Sequence, residues 1–359
     1  MTVATEYGDL ESRLAGILTK YDSRTDTTSV RFALASPERG WRWEWASPGS
    51  PEQYFIASTT KLYVTALIMQ LRHEGLIDLE APAVTYLGSS VMEGIHVLRG
   101  VDSGPRITVR ELISHTSGIA DYFEQSRRDG SSQIKDALRQ DFSWDFDDVL
   151  RITKDELAPK FPPSTPGKAF YSDTNYQLLE TVIEAVTGTT YEDAVRRRIL
   201  EPLELRDTYP FTAETIDLYE TVAPMLYGKT AVAIPKAMAS VRADGGIVST
   251  AADGLRFLEA FMTGQLFPRE YLDEMQRQWN PVFPPIEYGI GMMRFALPPY
   301  YTLFTKVPEM IGHSGASGTV LYYVPKLDLY VSGTVNQIRK RSLSYNLMTR
   351  VVMACQAAW

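Results

Sequence analysis

Hydrophobic and polar residues follow a strand-like rhythm near both ends of the chain and a helix-like rhythm between them. An amphipathic helix is predicted near Leu10 to Tyr21, followed by a strand from Ser29 to Ala35 and a turn over 36–40. After the turn, three indoles alternate with two charged residues, which places them on opposite faces of a second strand. The indoles belong to Trp41, Trp43 and Trp45. We interpret the segment as a hairpin with one buried face; an aromatic platform for a ligand is the alternative.

The segment that begins at Ser58 is predicted to be a buried helix. It is apolar over most of 62–71 and ends at Gly75, so it has too little polar surface to lie outside a core. Farther along, the pattern of residues from Tyr171 to Gly188 predicts a loop that enters a helix. A capping box over Thr189 to Glu192 is expected to open the next helix.

The last third of the chain returns to strands and single helices. Residues 245–248 predict a strand, and Ser249-Thr250 is a predicted N-cap for a helix through Phe261. Two apolar, β-rich runs, Gly318 to Pro325 and Leu327 to Val335, predict a hairpin. A final helix is expected over Ser342 to Ala357.

Strands at both ends that enclose a helical middle predict an α+β fold. We expect a central antiparallel sheet built from both termini and flanked by helices, with an inserted, mostly helical subdomain. The sheet subdomain would comprise residues 1–80 and 240–359, and the helical subdomain 81–239. A small-molecule site is expected at their junction.

Composition narrows the classes of function. The 359 residues are 44% hydrophobic and 22% charged, with a net charge of -8. The negative charge argues against a nucleic-acid surface, which needs clustered Lys and Arg. No apolar run reaches the roughly 18 to 20 residues of a membrane-spanning helix, so no membrane partner is expected. The first residues lack the features of a secretory signal, which favours a cytoplasmic location. The sequence does not indicate the oligomeric state.

Metal or cofactor chemistry is not expected. Cys355 is the only cysteine, so the chain offers neither an internal disulfide nor paired thiolate ligands. The four histidines show no metal-binding spacing such as His-x-x-x-His. We predict no metal and no cofactor.

Ser58 and Lys61 are the strongest candidates for chemistry. At i and i+3 they share one helix face, and a lysine among apolar neighbours can lose its proton and activate a serine. The first helical turn also offers N–H groups and a positive dipole end to an oxyanion. Ser58 as a simple N-cap is the alternative, and the spacing alone does not decide between them.

A second copy of the spacing, Ser132-x-x-Lys135, shows how weak the pattern is by itself. Its neighbours include Arg127, Arg128 and Asp129, so we interpret it as an exposed turn followed by a capped, solvated helix. The copy at 58 differs because an apolar helix follows it.

Two later segments supply what a lysine-activated serine still needs, a proton donor for the leaving group and a second oxyanion donor. Tyr171-Ser172-Asp173 offers a phenol beside a carboxylate. Residues 312–318, Gly-His-Ser-Gly-Ala-Ser-Gly, are dense in glycine before a strand, which allows a close backbone approach to a ligand.

Three segments of the chain resemble, in the same order, the three motifs of the penicillin-recognising serine hydrolases. They are Ser58-x-x-Lys61, Tyr171-Ser172-Asp173 and His313-Ser314-Gly315. The similarity is to the branch of class C β-lactamases, D-Ala-D-Ala carboxypeptidases and related carboxylesterases. Segments 112–119, 202–208 and 245–251 resemble that branch's connecting segments. The resemblance covers about residues 10 to 355 and implies a β-lactamase/transpeptidase-like fold.

The resemblance also implies roles. Ser58 would be the nucleophile, Lys61 its proton partner, and Tyr171 the group that takes the serine proton and returns it to the leaving group. His313 would occupy the catalytic place that lysine holds in β-lactamases, with a packed core histidine as the alternative. The oxyanion hole would be formed by the N–H groups of Ser58 and Ala316.

This chain departs from the pattern at one informative position. Where β-lactamases of this branch have Tyr-x-Asn, it has Asp173, and an ionised carboxylate only accepts hydrogen bonds where an amide also donates. Asn175 is the candidate replacement, and a structural Asp173 is the alternative. We count Asp173, Asn175, Ser314 and Gly315 as substrate-binding residues. The change weakens the case for hydrolysis of anionic β-lactams.

His115, in Ser114-His115-Thr116-Ser117-Gly118, invites a Ser-His-Asp triad. The corresponding segment of the resembled branch is structural, and we favour that interpretation. A Gly-x-Ser-x-Gly elbow is missing from the sequence, which argues against an α/β-hydrolase.

We predict a serine hydrolase that cleaves small esters, amides or peptides through an acyl-enzyme, as a carboxylesterase or a D-amino-acid-type peptidase. A D-Ala-D-Ala carboxypeptidase or weak class C-like β-lactamase is one alternative, and a catalytically silent binding or scaffold protein is another. The pocket is expected to be shaped by the insert around Phe123 to Phe146 and by a loop over 297–310. In that loop Tyr300, Tyr301 and Phe304 would form an apolar wall.

Overall fold

The computed structural model describes residues 7–298 and 306–359, so the predicted wall of Tyr300, Tyr301 and Phe304 lies outside the described residues. The helices of the described part, in chain order, are α1 (Gly8–Asp22), α2 (Thr60–His73), α3 (Val84–Leu87), α4 (Ser89–Met92), α5 (Val109–Ile113), α6 (Gln133–Arg139), α7 (Phe146–Arg151), α8 (Asp173–Thr187), α9 (Tyr191–Val195), α10 (Pro235–Ser240), α11 (Arg242–Gly245), α12 (Ala251–Thr263), α13 (Glu270–Met275) and α14 (Ser342–Ala358).

The strands of the described part, in chain order, are β1 (Arg31–Ser36), β2 (Trp41–Ala46), β3 (Tyr54–Phe55), β4 (Val97–Leu98), β5 (Val101–Asp102), β6 (Tyr209–Pro210), β7 (Met225–Tyr227), β8 (Thr230–Val232), β9 (Ile247–Ser249), β10 (Asn280–Phe283), β11 (Ile286–Tyr288), β12 (Met293–Phe295), β13 (Met310–Gly315), β14 (Thr319–Val324) and β15 (Leu329–Thr334).

An eight-stranded antiparallel sheet forms the centre of the molecule. Its order is β10-β11-β12-β13-β14-β15-β1-β2, so the first strands of the chain lie beside the last. The β1–β15 pair aligns Ala33 with Ser332. This confirms the predicted α+β fold with a sheet built from both termini. The predicted hairpin of β14 and β15 is also present, as is the final helix.

Helices cover both faces of the sheet. On one face α1 packs against α14, and the buried side chains of this layer include Leu14, Leu347 and Val351. On the other face α12 packs against β15 and β1, and α2 and α8 continue the same core. The nucleophile segment therefore sits on the side of the sheet from which the helical middle section extends.

The three tryptophans of β2 belong to the packing of the edge strand. Trp41 is 5% exposed, and its ring lies edge-on to Trp359 with centroids 5.5 Å apart. Trp43 and Trp45 are half-buried against the same core, while Arg42 and Glu44 between them are exposed. The buried-face interpretation is confirmed, since Trp41 lies against Tyr7 and Trp359 and β2 contacts α1.

Two local predictions in the middle of the chain were wrong. The helix α9 is capped by Thr190, which accepts the N–H of Asp193 at 3.2 Å, and not by Thr189. The second Ser-x-x-Lys copy lies at the start of α6, but Ser132 makes no capping hydrogen bond. Gln133 and Ala137 of this helix are buried, so it is not a solvated helix. The charged residues around it concealed one apolar face.

Among the described helices, none combines the length and apolar character required to cross a bilayer.

Candidate active site

Ser58 lies in a single 3-10 turn, Ala57–Thr59, immediately before α2. No side-chain capping bond is made by Ser58 at this helix start, so the N-cap interpretation was wrong. The preceding residue, Ala57, has φ 46, in a left-handed region that L-residues avoid. Strain of this kind is common where a functional side chain is held in one orientation. Here it presents the Ser58 hydroxyl to a cavity.

Lys61 lies in the first turn of α2 with its side chain fully buried. Its Nζ is 2.7 Å from Asp173 Oδ1 and 2.5 Å from the backbone oxygen of Asp244. The third neighbour is Ser58 Oγ at 3.4 Å. A nitrogen with three acceptors around it uses three N–H bonds, so this is the geometry of an ammonium group.

The carboxylate that pairs with Lys61 opens α8. Asp173 donates its backbone N–H to Asp121 Oδ1 at 2.9 Å, and its side chain faces Lys61 across the two helices. Burial raises the pKa of the Asp173 carboxyl, and the ion pair with Lys61 opposes that rise. The sequence departure at this position thus places a carboxylate in direct contact with the lysine.

Two more carboxyl groups are buried nearby. Burial raises the pKa of Asp121 to about 8, with the Asp173 carboxylate adding to the effect. Asp244 accepts hydrogen bonds from Tyr122 at 2.7 Å and from Gln177 at 3.0 Å. Burial also raises the pKa of Asp244 well above its usual range. Of these three groups only Asp173 touches Lys61 through its carboxylate.

Tyr171 places its phenol beside Lys61. Its Oη is buried and has no hydrogen-bond partner among the described residues. Lys61 Nζ lies 5.1 Å from the centre of the ring. Burial raises the pKa of Tyr171 well above its usual range, and the nearby Asp173 carboxylate adds to this while the Ser58 hydroxyl opposes it. The phenol therefore holds its proton at neutral pH.

His313 is fully buried in β13 and is neutral. Its Nδ1–H donates to the backbone oxygen of Ser314 at 2.8 Å, and its Nε2 accepts from the Tyr288 hydroxyl at 3.1 Å. Burial, with a contribution from Lys61, lowers the pKa of His313 to about 3. Its ring lies 6.1 Å from that of Tyr171 and does not line the cavity.

The end of β13 passes very close to the nucleophile segment. A Cβ on Gly315 would lie 2.4 Å from the backbone oxygen of Ile56, so only glycine fits. Ala316, the next residue, borders the cavity with Ser58. Within the described part of the chain its N–H has no backbone acceptor. Ser314 also borders the cavity, with its hydroxyl bonded to that of Tyr345.

The structure does not bring Asn175 to the cavity. It is completely buried in α8, its Oδ1 accepts from the Ser117 hydroxyl at 2.9 Å, and its amide contacts His115 Nδ1 at 3.2 Å. The suggestion that Asn175 replaces the missing amide of the motif is therefore not supported by its position. Asn175 faces away from the cavity because it is two positions after Asp173 in α8, and residues two positions apart in a helix project from different sides.

His115 is part of the support behind Tyr171. Its Nδ1 accepts the backbone N–H of Ser172 at 3.2 Å, and its ring lies 4.4 Å from the Tyr171 ring. Burial lowers its pKa well below the usual range. These contacts agree with the structural interpretation of His115.

A cavity of about 350 Å³ opens beside Ser58. One wall is apolar and comes mainly from the helical middle section of the chain. Its side chains are Phe123, Ile134, Ala137, Leu138, Met225, Ile234, Ala237, Met238, Val241 and Ile338. The lining also includes Phe283, Ile286, Met293 and Tyr345 from the last part of the chain. The charged groups at its border include Glu124 and Arg341, which are paired with each other.

Sequence reasoning missed most of this wall. The insert around Phe123 was predicted to shape the pocket, but α6 was interpreted as solvated and the segment 225–241 was not singled out. The signal was present, since Ile134, Ala137 and Leu138 follow the i, i+3, i+4 spacing of an apolar helix face. Which partner such a face has is visible only in the folded chain.

A family model described as Beta-lactamase matches residues 35–344 of this chain. Among curated proteins, penicillin-binding protein 4 from Amycolatopsis lactamdurans is 29% identical over 159 residues, 44% of this chain and 36% of that protein. The chain spans about half the length, or less, of the curated penicillin-binding proteins it matches.

Solved structures show the same fold. The D-amino acid amidase from Ochrobactrum anthropi SV3 superposes with a TM-score of 0.79 at 22% identity, covering 97% of this chain and 99% of that one. EstCE1, a hydrolase with promiscuous acyltransferase activity, superposes with a TM-score of 0.77 at 18% identity, covering 97% and 98%. Both likenesses extend over nearly the whole chain, sheet and helical section alike.

Proposed function

Because the chain belongs to the Beta-lactamase family, we propose that it is a serine hydrolase that cleaves esters or amides through an acyl-enzyme on Ser58. The observation that carries the proposal is that Ser58 borders an apolar cavity with its hydroxyl oxygen 3.4 Å from a buried lysine nitrogen. Nucleophile and proton partner within reach of each other are what acyl transfer by serine requires.

Each step of acyl transfer has a group available for it. Ser58 Oγ attacks the carbonyl carbon while Lys61 receives the hydroxyl proton. The N–H groups of Ser58 and Ala316 stabilise the oxyanion that forms. Tyr171, whose phenol is protonated and close to Lys61, gives a proton to the leaving group. Water then hydrolyses the ester bond to Ser58 by the same steps in reverse.

The cavity favours an uncharged, apolar acyl group, and a carboxylesterase is the function we propose first. Its walls are dominated by aliphatic and aromatic side chains, and its volume is at the small end of ligand pockets. In the described lining the one cation, Arg341, is already paired with Glu124. His313 is neutral and outside the cavity, so neither group is available to a substrate carboxylate. This disfavours anionic β-lactams and peptides that end in D-Ala-D-Ala.

A D-amino-acid-type peptidase or amidase is the second candidate. One carboxylate at the border of the cavity, Asp173, bonds Lys61 through Oδ1, and among the described contacts its Oδ2 remains to accept a hydrogen bond from a free α-ammonium group. The structural likeness to a D-amino acid amidase supports this class as well.

Intact-mass detection of the acyl-enzyme tests the proposal. The purified protein is mixed with nitrophenyl esters of increasing acyl length, D-phenylalanine amide, a cephalosporin and a D-Ala-D-Ala peptide. We expect a mass increase equal to the acyl group, followed by turnover, first with the uncharged esters. Ser58→Ala should abolish both while the melting temperature is kept.

Ser132→Ala is the matched control, because it belongs to the other Ser-x-x-Lys copy and its buried hydroxyl has no hydrogen-bond partner in the described part of the chain. It should acylate like the wild type. Full esterase activity in Ser58→Ala would disprove the assignment. No adduct with any substrate or with a fluorophosphonate probe would favour the silent scaffold protein instead.

A further inference from the structure

Lys61 has no vacant position from which to accept the Ser58 proton in the resting site. Its three hydrogen-bond directions are taken by Asp173, the Asp244 backbone and Ser58. An ammonium group cannot act as a base until it gives up a proton. Another group must therefore receive the proton that Lys61 gives up.

Asp173 is the group placed to receive it. Its Oδ1 is 2.7 Å from Lys61 Nζ, and both side chains are at least nine-tenths buried. The other close acceptor, the backbone oxygen of Asp244, cannot hold a proton. In a buried site a neutral acid beside a neutral amine avoids the desolvation of two charges, so transfer between them is easier than in water.

We infer that Asp173 holds the Lys61 proton during acylation, so that the nucleophile is activated by a Ser58–Lys61–Asp173 relay and not by a free lysine. The inference rests on the proposed function. In this relay Asp173 touches neither the acyl group nor the leaving group and acts on Ser58 through Lys61. It is therefore a positioning residue that in addition stores a proton. An asparagine at this position, as in the Tyr-x-Asn motif, has no site for the proton.

The relay conserves protons. A Lys61 N–H bond breaks and an Asp173 O–H bond forms; the freed nitrogen then takes the Ser58 proton while Oγ bonds to the acyl carbon. When the bond to the leaving oxygen breaks, that oxygen takes the Tyr171 proton, Tyr171 is reprotonated by Lys61, and Asp173 returns its proton to Lys61. The acyl-enzyme therefore carries the same charges as the resting enzyme.

Other charges around Asp173 will shape its titration. Glu124 opposes its ionisation from the loop that follows Asp121, and Arg341 favours it from the residue before α14. Other titratable groups of the described chain that feel the charge of Asp173 include Asp121, Asp244, Tyr122, Tyr171, Tyr176 and Tyr288. Because these charges act on Asp173, the reference for the pH profile of a variant is the profile of the wild type and not the titration of an isolated carboxyl group.

The experiment is the pH profile of kcat/KM for Asp173→Asn with the nitrophenyl ester that acylates best. With the relay, the wild type loses activity in acid when the Asp173–Lys61 pair takes up a second proton. The variant instead needs Lys61 itself to be neutral, which requires higher pH. We expect the acid limb of its profile, the range over which kcat/KM rises with pH, to move up by at least about one pH unit. At the acid end this is a loss of about tenfold in kcat/KM, and the loss recovers in alkali.

The opposite shift is expected if Asp173 only positions Lys61. Removing the carboxylate would then make Lys61 easier to deprotonate, and the acid limb would move down. A downward or absent shift overturns the inference. Asp253→Asn is the control, because this buried carboxyl bonds Thr208 at 2.9 Å, outside the cavity, and should leave the profile unchanged.

The wild type provides a second measurement that does not depend on how the variant folds. Ionisation of a carboxyl group responds little to temperature, whereas that of an ammonium responds strongly. An acid limb that stays in place between two temperatures supports the relay, and one that moves markedly contradicts it. A wild type without turnover would overturn the proposed function together with this inference; the wrong shift in an active enzyme overturns the inference alone.

Discussion

At the scale of single residues, the site is defined by which side chains keep their protons. Burial raises the pKa of Tyr171 and lowers that of His313 to about 3, so both rings are neutral. His313 stands where β-lactamases of the resembled branch have lysine, but it supplies no positive charge. The sequence identified these residues, while their charge states follow from the burial of each ring.

Tyr171→Phe tests the phenol as proton donor. For an alkyl ester, whose leaving oxygen needs a proton, we expect kcat to fall by roughly 10²- to 10⁴-fold. A nitrophenyl ester should lose much less, because nitrophenolate leaves without protonation. The measurement is the ratio of the two rates in variant and wild type.

The variant should not lose stability, since the Tyr171 hydroxyl has no partner among the described residues. A melting temperature near that of the wild type excludes a structural cause for the rate change. An equal loss with both esters would contradict the role of Tyr171 as the proton donor.

At the scale of elements, the site depends on how closely one strand approaches one helix start. β13 brings Gly315 within reach of Ile56 and Ala57, and the next residue, Ala316, borders the same cavity as Ser58. The glycine-dense run before β14 predicted a close approach, and the structure shows what is approached. On the other side, α6 supplies an apolar wall that its charged neighbours had hidden from sequence reasoning.

Gly315→Ala is expected to separate β13 from the nucleophile segment. The added Cβ would lie 2.4 Å from the oxygen of Ile56 and 3.0 Å from the Cβ of Ala57, so the backbone must shift. We expect a loss of about 1–3 kcal/mol in the free energy of unfolding. Activity should fall by up to about 10²-fold, because a misplacement near 1 Å is enough for this.

Gly16→Ala is the control for this substitution. Gly16 lies inside α1, where an added Cβ would have no atom within 4 Å, and alanine favours a helix. It should leave activity unchanged and stability equal or higher. If Gly315→Ala kept wild-type kcat/KM on the ester, the close approach of β13 would not matter for the site.

At the scale of the whole molecule, buried acids and buried histidines give stability an optimum in pH. Burial raises the pKa of Asp121 to about 8 and that of Glu180 to about 7. Folding therefore retains protons that the unfolded chain releases above pH ~4. His313, with its pKa lowered to about 3, has the opposite effect below pH ~6.5.

We expect the free energy of unfolding to fall between about pH 6.5 and 8, where only the carboxyl groups still differ between the folded and unfolded chains. Below about pH 6.5 the lowered pKa of His313 makes the free energy of unfolding rise with pH. This opposes the effect of the buried carboxyl groups. Urea unfolding at pH 6.5 and 8 measures the difference. Glu180→Gln should reduce the alkaline decline, whatever it does to absolute stability. Stability that increases from pH 6.5 to 8 would contradict the prediction.

The sequence by itself determined an α+β fold with a sheet built from both termini, several of its strands and helices, and the family. Periodicity placed β1, β2, β14, β15, α8, α12 and α14 within a few residues, because the side-chain repeat of a strand or helix is written locally in the chain. The order of Ser58-x-x-Lys61, Tyr171-Ser172-Asp173 and His313-Ser314-Gly315 identified the resemblance that the family match bears out.

Only the tertiary structure decided what each candidate residue touches. It paired Asp173 with Lys61, turned Asn175 away from the cavity, left His313 neutral and made α6 a wall of the cavity. These properties depend on distances and burial between residues far apart in the chain. Such distances are set by packing of the whole core, which no local pattern of residues encodes.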